Sequence, residues 1–178
     1  MSHRVFISYQ HVDQEEVEDF IKKFDHQRNI FFYRALGFAN DIINSNDTEY
    51  IMKRIRELYL KDSTVTIVMI GKCTWARKYV DWEIQASLRG VGSQLPNGLL
   101  GIILPSASRN PIYPERLNKN LPYNSNGKIT DSYARVYNYP TRADSLNGWI
   151  EDAFNARTKR RLLIDNPRSR FAYNRTCF

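Results

Sequence analysis

A chain of 178 residues, 42% hydrophobic and 13% aromatic, can close one core without disulfides or metals, which points to a single domain. No run approaches the roughly 20 apolar residues of a membrane span, and Met1-Ser2-His3-Arg4 enters a strand-like segment without an apolar leader, so a soluble, cytoplasmic protein is expected. The formal charge of +7 is concentrated in residues 157–178, where Arg157, Lys159, Arg160, Arg161, Arg168, Arg170 and Arg175 meet one acid, Asp165; this reads as a solvated helix end and tail and argues against a nucleic-acid partner.

In chain order, Val5-Phe6-Ile7-Ser8-Tyr9 reads as a first strand. Asp13 and Glu16 form an N-cap pair, and Val17, Phe20, Ile21 and Phe24 make the buried stripe of a helix. A second strand, Ile30-Phe31-Phe32-Tyr33, opens into a polar loop from Gly37 to Asn46. The next helix starts near Asp47-Thr48 and should bury Ile51, Ile55 and Leu58. The run Thr64 to Gly71 is apolar almost throughout, as a central strand covered on both faces would be. A helix from about Trp75 to Leu88 turns Val80, Ile84 and Leu88 inward, and Leu99 to Leu104 forms a fourth strand that Pro105 ends.

Residues 105–132, rich in Pro, Asn, Ser and Gly, lack a period and read as a long insertion loop, functional or mobile. Ala134 to Tyr139 alternates like an edge strand. Thr141 and Asp144 suggest a capping box before a last helix that turns Leu146, Trp149, Ile150, Ala153 and Phe154 inward. The expected organisation is an α/β domain over 1–156 and a basic tail over 157–178. Cys73 and Cys177 give no disulfide framework or metal-ligand spacing, and His3, His11 and His26 are scattered, so no metal site is expected.

Alternating strands and helices imply a three-layer sandwich with a five-stranded, mainly parallel sheet. In a flavodoxin-like order, 2-1-3-4-5, ligands bind beyond the carboxyl ends of the first and third strands. Ser8-Tyr9-Gln10-His11 and the stretch from Gly71 to Glu83 follow those strands. Neither the dinucleotide fingerprint G-x-G-x-x-G nor a P-loop is present. Glu83 lies about 100° round the helix from Ile84, at the rim of the buried stripe, and Tyr79 precedes it by four residues. Spacing allows two readings. An aromatic ring beside a carboxylate suits a ribose and a developing cation at its anomeric carbon; alternatively, Glu83 pairs with Arg77, Lys78 or Arg89 on a solvated surface.

The strand Val5 to Tyr9 with Asp13 after it, and the stretch Ser63 to Leu88 containing Thr74-Trp75-Ala76-Arg77-Lys78-Tyr79-Val80-Asp81-Trp82-Glu83-Ile84, resemble TIR domains. The second stretch is similar in particular to the TIR-like, ThsB-type subunits of Thoeris anti-phage systems, and the resemblance spans roughly residues 4–105. It implies a TIR fold and an enzyme that consumes NAD+ as substrate, without a further cofactor. Glu83 falls on the catalytic glutamate position and Tyr79 on a position where tryptophan is usual. Phe6, Ser8 and Tyr9 fall on strand-end positions lining the nucleotide pocket, with Gln10 and His11 beside them; Trp75 borders the same crevice or serves packing. The resemblance further implies cleavage of the nicotinamide–ribose bond to an ADP-ribose-type product, hydrolysed or cyclised, that reaches a separate effector protein as a diffusible signal. Monomers or weak TIR self-association are expected. The loop bearing Asn40, Asp41, Asn44 and Asn46 corresponds to one that closes over substrate or meets a neighbour. A non-enzymatic adaptor working through protein–protein contacts is the alternative.

Overall fold

The structure is a computed structural model that describes residues 3–26, 31–35, 46–90 and 92–178. Five parallel strands form one sheet: β1 (His3–Ser8), β2 (Phe31–Ala35), β3 (Val65–Ile70), β4 (Gly98–Ile103) and, at the far edge, β7 (Arg135–Asn138). Their order, β2-β1-β3-β4-β7, is the expected 2-1-3-4-5 winding, because a short antiparallel ribbon, β5 (Asn124–Ser125) with β6 (Lys128–Ile129), stands outside the sheet. Among the described residues the α-helices are α1 (Gln14–Ile21), α2 (Thr48–Ile55), α3 (Lys78–Ser87), α4 (Glu115–Asn118) and α5 (Ala143–Lys159).

Alternation along the strands sorts the core into two faces. Val5 and Ile7 of β1, with Val65, Ile67 and Met69 of β3, meet Val17 and Phe20 of α1 and Leu146 and Ile150 of α5. Phe6 points the other way, towards Ile51, Met52 and Ile55 of α2 and Trp82 of α3, while Val68 and Ile70 meet Val80 and Ile84. Thus α1 and α5 cover one face and α2, α3 and α4 the other. Both central strands, β3 and β4, are buried along their whole length, as the apolar run of β3 predicted. Gly98 opens β4 where α5 crosses closest, since a Cβ there would overlap the Ala153 carbonyl. None of the described helices is long and apolar enough to cross a membrane.

Several local expectations are corrected. Asp13 stands at the N-cap of α1, but its side chain caps nothing. Likewise α5 starts after Arg142 without a side-chain cap, so the Thr141/Asp144 box does not form. Asp47 does cap α2, accepting from the amides of Glu49 (3.0 Å) and Tyr50 (3.3 Å). After Ile55 the chain continues as a π-helical turn, Arg56–Leu60, whose wider winding shifts the phase, so that Leu60 is buried and Leu58 only half-buried. Trp75 belongs to a separate 3-10 turn, Thr74–Ala76, and α3 proper begins at Lys78. The aperiodic stretch 105–132 contains structure: a 3-10 turn at Pro105–Ala107, α4 and the ribbon. Gly37, Asn40, Asp41 and Asn44 lie outside the described residues, and Asn46 is exposed.

The largest departure is the C-terminal segment. It does not trail into solvent but runs back along α3. Arg175 donates its amide to the Ala76 carbonyl (2.8 Å), Asn174 accepts from the Lys78 amide (3.0 Å), and Trp82 donates its indole N–H to the Phe171 carbonyl (2.9 Å). Its last anchor is a disulfide between Cys73 and Cys177, where sequence spacing had suggested none. Most of the tail's arginines also meet partners within the chain: Arg160 binds Asp152, Arg168 and Arg175 bind Glu115, and Arg170 binds Glu49.

Candidate functional site

The helix α3 leaves the carboxyl end of β3 and packs over β1. Because Val80 and Ile84 are drawn into the core, the residue just before Ile84 is turned towards the neighbouring strand. That residue is Glu83. Its side chain is only 5% exposed, and the Ser8 hydroxyl at the end of β1 donates to its Oε2. Burial removes water from the carboxyl group and pushes its pKa up to about 8; the Ser8 hydrogen bond opposes this by favouring the carboxylate. Near neutral pH the ligand-free group therefore holds its proton. Of the two readings open to the sequence, the surface ion pair is not what forms: the acid faces inward.

Ser8 reaches Glu83 because alternation along β1 directs Phe6 and Ser8 to the α2/α3 side. Phe6 is fully buried there, with its ring 6.3 Å from that of Tyr59. Tyr9 packs on the opposite face, against the α1/α5 cluster, so β1 divides these three residues between two sides. Tyr79, one turn before Glu83, sets its ring edge-on to Trp82 at 5.4 Å, with the Lys78 ammonium 5.1 Å from the Tyr79 centroid. Together with Arg170 and Tyr173, these side chains line an open cleft of about 750 Å³ between the first turns of α2 and α3 and the C-terminal segment. Trp75 is half-buried, and its indole N–H is enclosed without a partner among the described residues. His11 is exposed in the 3-10 turn after β1.

The crevice between the ends of β1 and β3 holds a polar cluster that sequence reasoning did not assemble. Gly71 donates its amide to Thr74 Oγ1 (2.9 Å), which lies 3.4 Å from Asp13 Oδ2. A Cβ at position 71 would overlap the Asp13 carboxyl group, so glycine makes its room. Burial raises the Asp13 pKa first; Thr74 and the Arg77 charge pull it down, and Glu16 pushes it up. Gln10, with its amide oxygen turned to Arg77, accepts from Nε (2.9 Å) and Nη2 (3.0 Å). Gln10 and Asp13 thus fasten the exit of β1 to the exit of β3. Only the acid shortly after the first strand, Asp13, signalled this arrangement in the sequence.

A second cluster fixes the start of α3. Arg116 of α4 is 1% exposed and Asp81 4%, and they pair through two bonds, Nε to Oδ1 at 3.0 Å and Nη2 to Oδ2 at 3.3 Å. Arg116 also donates to Asn166 Oδ1 (2.9 Å) and the Arg168 carbonyl (3.0 Å), and Asp81 accepts the Phe171 amide (2.9 Å). The helix carrying Glu83 is therefore locked by α4 and the C-terminal segment together. No sequence signal linked residues 35 apart across an aperiodic stretch.

The winding order, and an acid from the helix after the third strand set against the end of the first, define a TIR-like α/β domain. The family described as Thoeris protein ThsB, TIR-like domain, matches residues 6–109, more than half of the chain, and the chain belongs to that family. Comparison with curated proteins found no match.

Proposed function

We propose that this protein is an NAD+-consuming enzyme of anti-phage defence, acting in the cytoplasm. It cleaves the nicotinamide–ribose bond and releases an ADP-ribose-type product, with a cyclic isomer as the signal to a separate effector. The observation that carries the reading is the enclosed Glu83 carboxyl group held by Ser8 at the carboxyl end of the central strands. Membership of the Thoeris family supports the defence setting.

The chemistry follows from the environment of the acid. The nicotinamide of NAD+ carries a positive charge until it leaves, so departure needs no general acid. A cationic pyridinium–ribosyl group entering the site favours the ionised form of Glu83, and the proton is released on binding. The carboxylate then accepts from the ribose hydroxyls and stabilises the oxocarbenium-like state in a dry surrounding, where a charge acts more strongly than in water. Ser8 orients the carboxylate and keeps one of its oxygens satisfied throughout. Phe6, on the same side of β1 as Ser8, contributes to the apolar packing of that face. Water at the anomeric carbon gives ADP-ribose; a hydroxyl of the same molecule gives the ring.

The test is release of nicotinamide from NAD+ by purified protein in the activated state, read by chromatography. Wild type is expected to turn over and Glu83→Gln to lose about 100-fold or more, the scale of a lost transition-state charge. Equal rates in the two proteins would remove Glu83 from the reaction.

A further inference from the structure

At the opposite end of the strands from Ser8, a second cleft of about 440 Å³ opens between the π-helical turn after α2 and the end of α3. Lys53, Arg56, Lys61 and Arg89 line it, with Glu57 as the one acid among its lining residues. That acid lies 3.7 Å from Lys53, within the cleft, and 3.7 Å from Arg54, and at ion-pair distance from neither Arg56 nor Arg89. Glu49, the next carboxylate near Arg56, is bound by Arg170 at 2.5 Å. Arg56 and Arg89 thus face the same hollow without a carboxylate at ion-pair distance among the described residues.

Two details set this apart from a solvated basic face. Arg56 Nη1 is shut off from solvent and donates to nothing among the described residues, an expense that folding normally avoids. Arg89 and Arg170 add like charge around it, and guanidinium groups do not relieve such repulsion by losing protons. Beside the apolar Leu60, Ala86 and Leu95, two polar lining residues are held from behind by Thr66: its Oγ1 is 2.7 Å from Ser87 Oγ and accepts from Asn97 at 3.2 Å. A preformed hollow, an idle buried donor and converging fixed cations are what an anion with several oxygens would complete.

We infer that this cleft binds a phosphate-bearing small molecule, with Arg56 and Arg89 gripping the phosphate oxygens and Lys53 and Lys61 closing over them. The inference stands apart from the reading of Glu83, since the cleft lies at the amino ends of the strands. Titration calorimetry with inorganic pyrophosphate in low-salt buffer tests it. Saturable single-site binding is expected, weaker by about tenfold or more in Arg56→Gln and in Arg89→Gln, as for a lost charge-assisted hydrogen bond. Binding should be unchanged in Arg142→Gln, an exposed arginine paired with Asp144 on another face, and should fall as sodium chloride is added. Relief of like charge should leave both cleft variants folded, with unfolding midpoints no lower than wild type. Heats that never saturate, or one dissociation constant shared by all four proteins, would overturn the inference.

Discussion

At position 83 the protein keeps a carboxyl group where a neutral side chain would be more stable. Ordinary glutamate ionises near 4.5, whereas burial holds the proton on Glu83 up to about pH 8. The folded state therefore binds a proton that the unfolded chain releases across that window, and stability contributed below pH 4.5 is lost as pH rises towards 8. At pH 7 the deficit is on the order of 3 kcal/mol. Glu83→Gln carries no such proton. Its melting temperature should exceed that of wild type at pH 7.5, with the gap closing as pH falls to 4.5. A gap that is the same at every pH would mean the carboxyl group is solvated. Retaining an acid at this cost is the pattern expected of a functional group rather than of a packing residue.

At the scale of elements, α3 is the part that the rest of the chain is arranged to hold. Its inward stripe was legible because Val80, Ile84 and Leu88 recur at helical spacing, and the same spacing set Glu83 at the rim. Spacing could not say which neighbour Glu83 would face, since that depends on β1 presenting Ser8 to the same side. The capping expectation for α1 failed for a related reason: Asp13 is drawn to Thr74 and Arg77 instead of its own helix. The clamp on α3 was invisible because Asp81 and Arg116 lie on separate elements with no shared period. Breaking it leaves a charge buried without its partner. Arg116→Met should cost about 3–5 kcal/mol in urea unfolding, and Asp81→Asn in the same chain should recover part of the loss. A cost under about 1 kcal/mol would show that solvent reaches the pair.

For the molecule as a whole, the sheet order came from the flavodoxin-like arrangement that the TIR resemblance implies, while the parallel sheet flanked by helices and the central position of β3 followed from alternation and the apolar run. The C-terminal segment did not, because its polar composition hides backbone bonds to Ala76, Lys78 and Trp82. The disulfide between Cys73 and Cys177 closes a loop spanning a sequence separation of 104 and staples this segment beside the start of α3. Two cysteines so far apart announce nothing until the chain is folded. Reduction, or Cys177→Ser, should lower the melting temperature by on the order of 10 °C while leaving far-ultraviolet circular dichroism unchanged. Two free thiols titrated in the native, unreduced protein would contradict the bridge. Where the bridge is reduced, the remaining bonds of the segment, above all those to Asp81 and Trp82, carry its attachment.

Fold, clamp and staple converge on one carboxyl group, and its titration can be read through the proposed reaction. The pH dependence of kcat/KM for nicotinamide release reports the groups of the free enzyme. The rate should climb with pH through an inflection near 8, the value set by burial of Glu83, and Glu83→Gln should lack both the rate and the inflection. A profile that is flat from pH 6 to 9, or one that Glu83→Gln reproduces, would contradict the assignment.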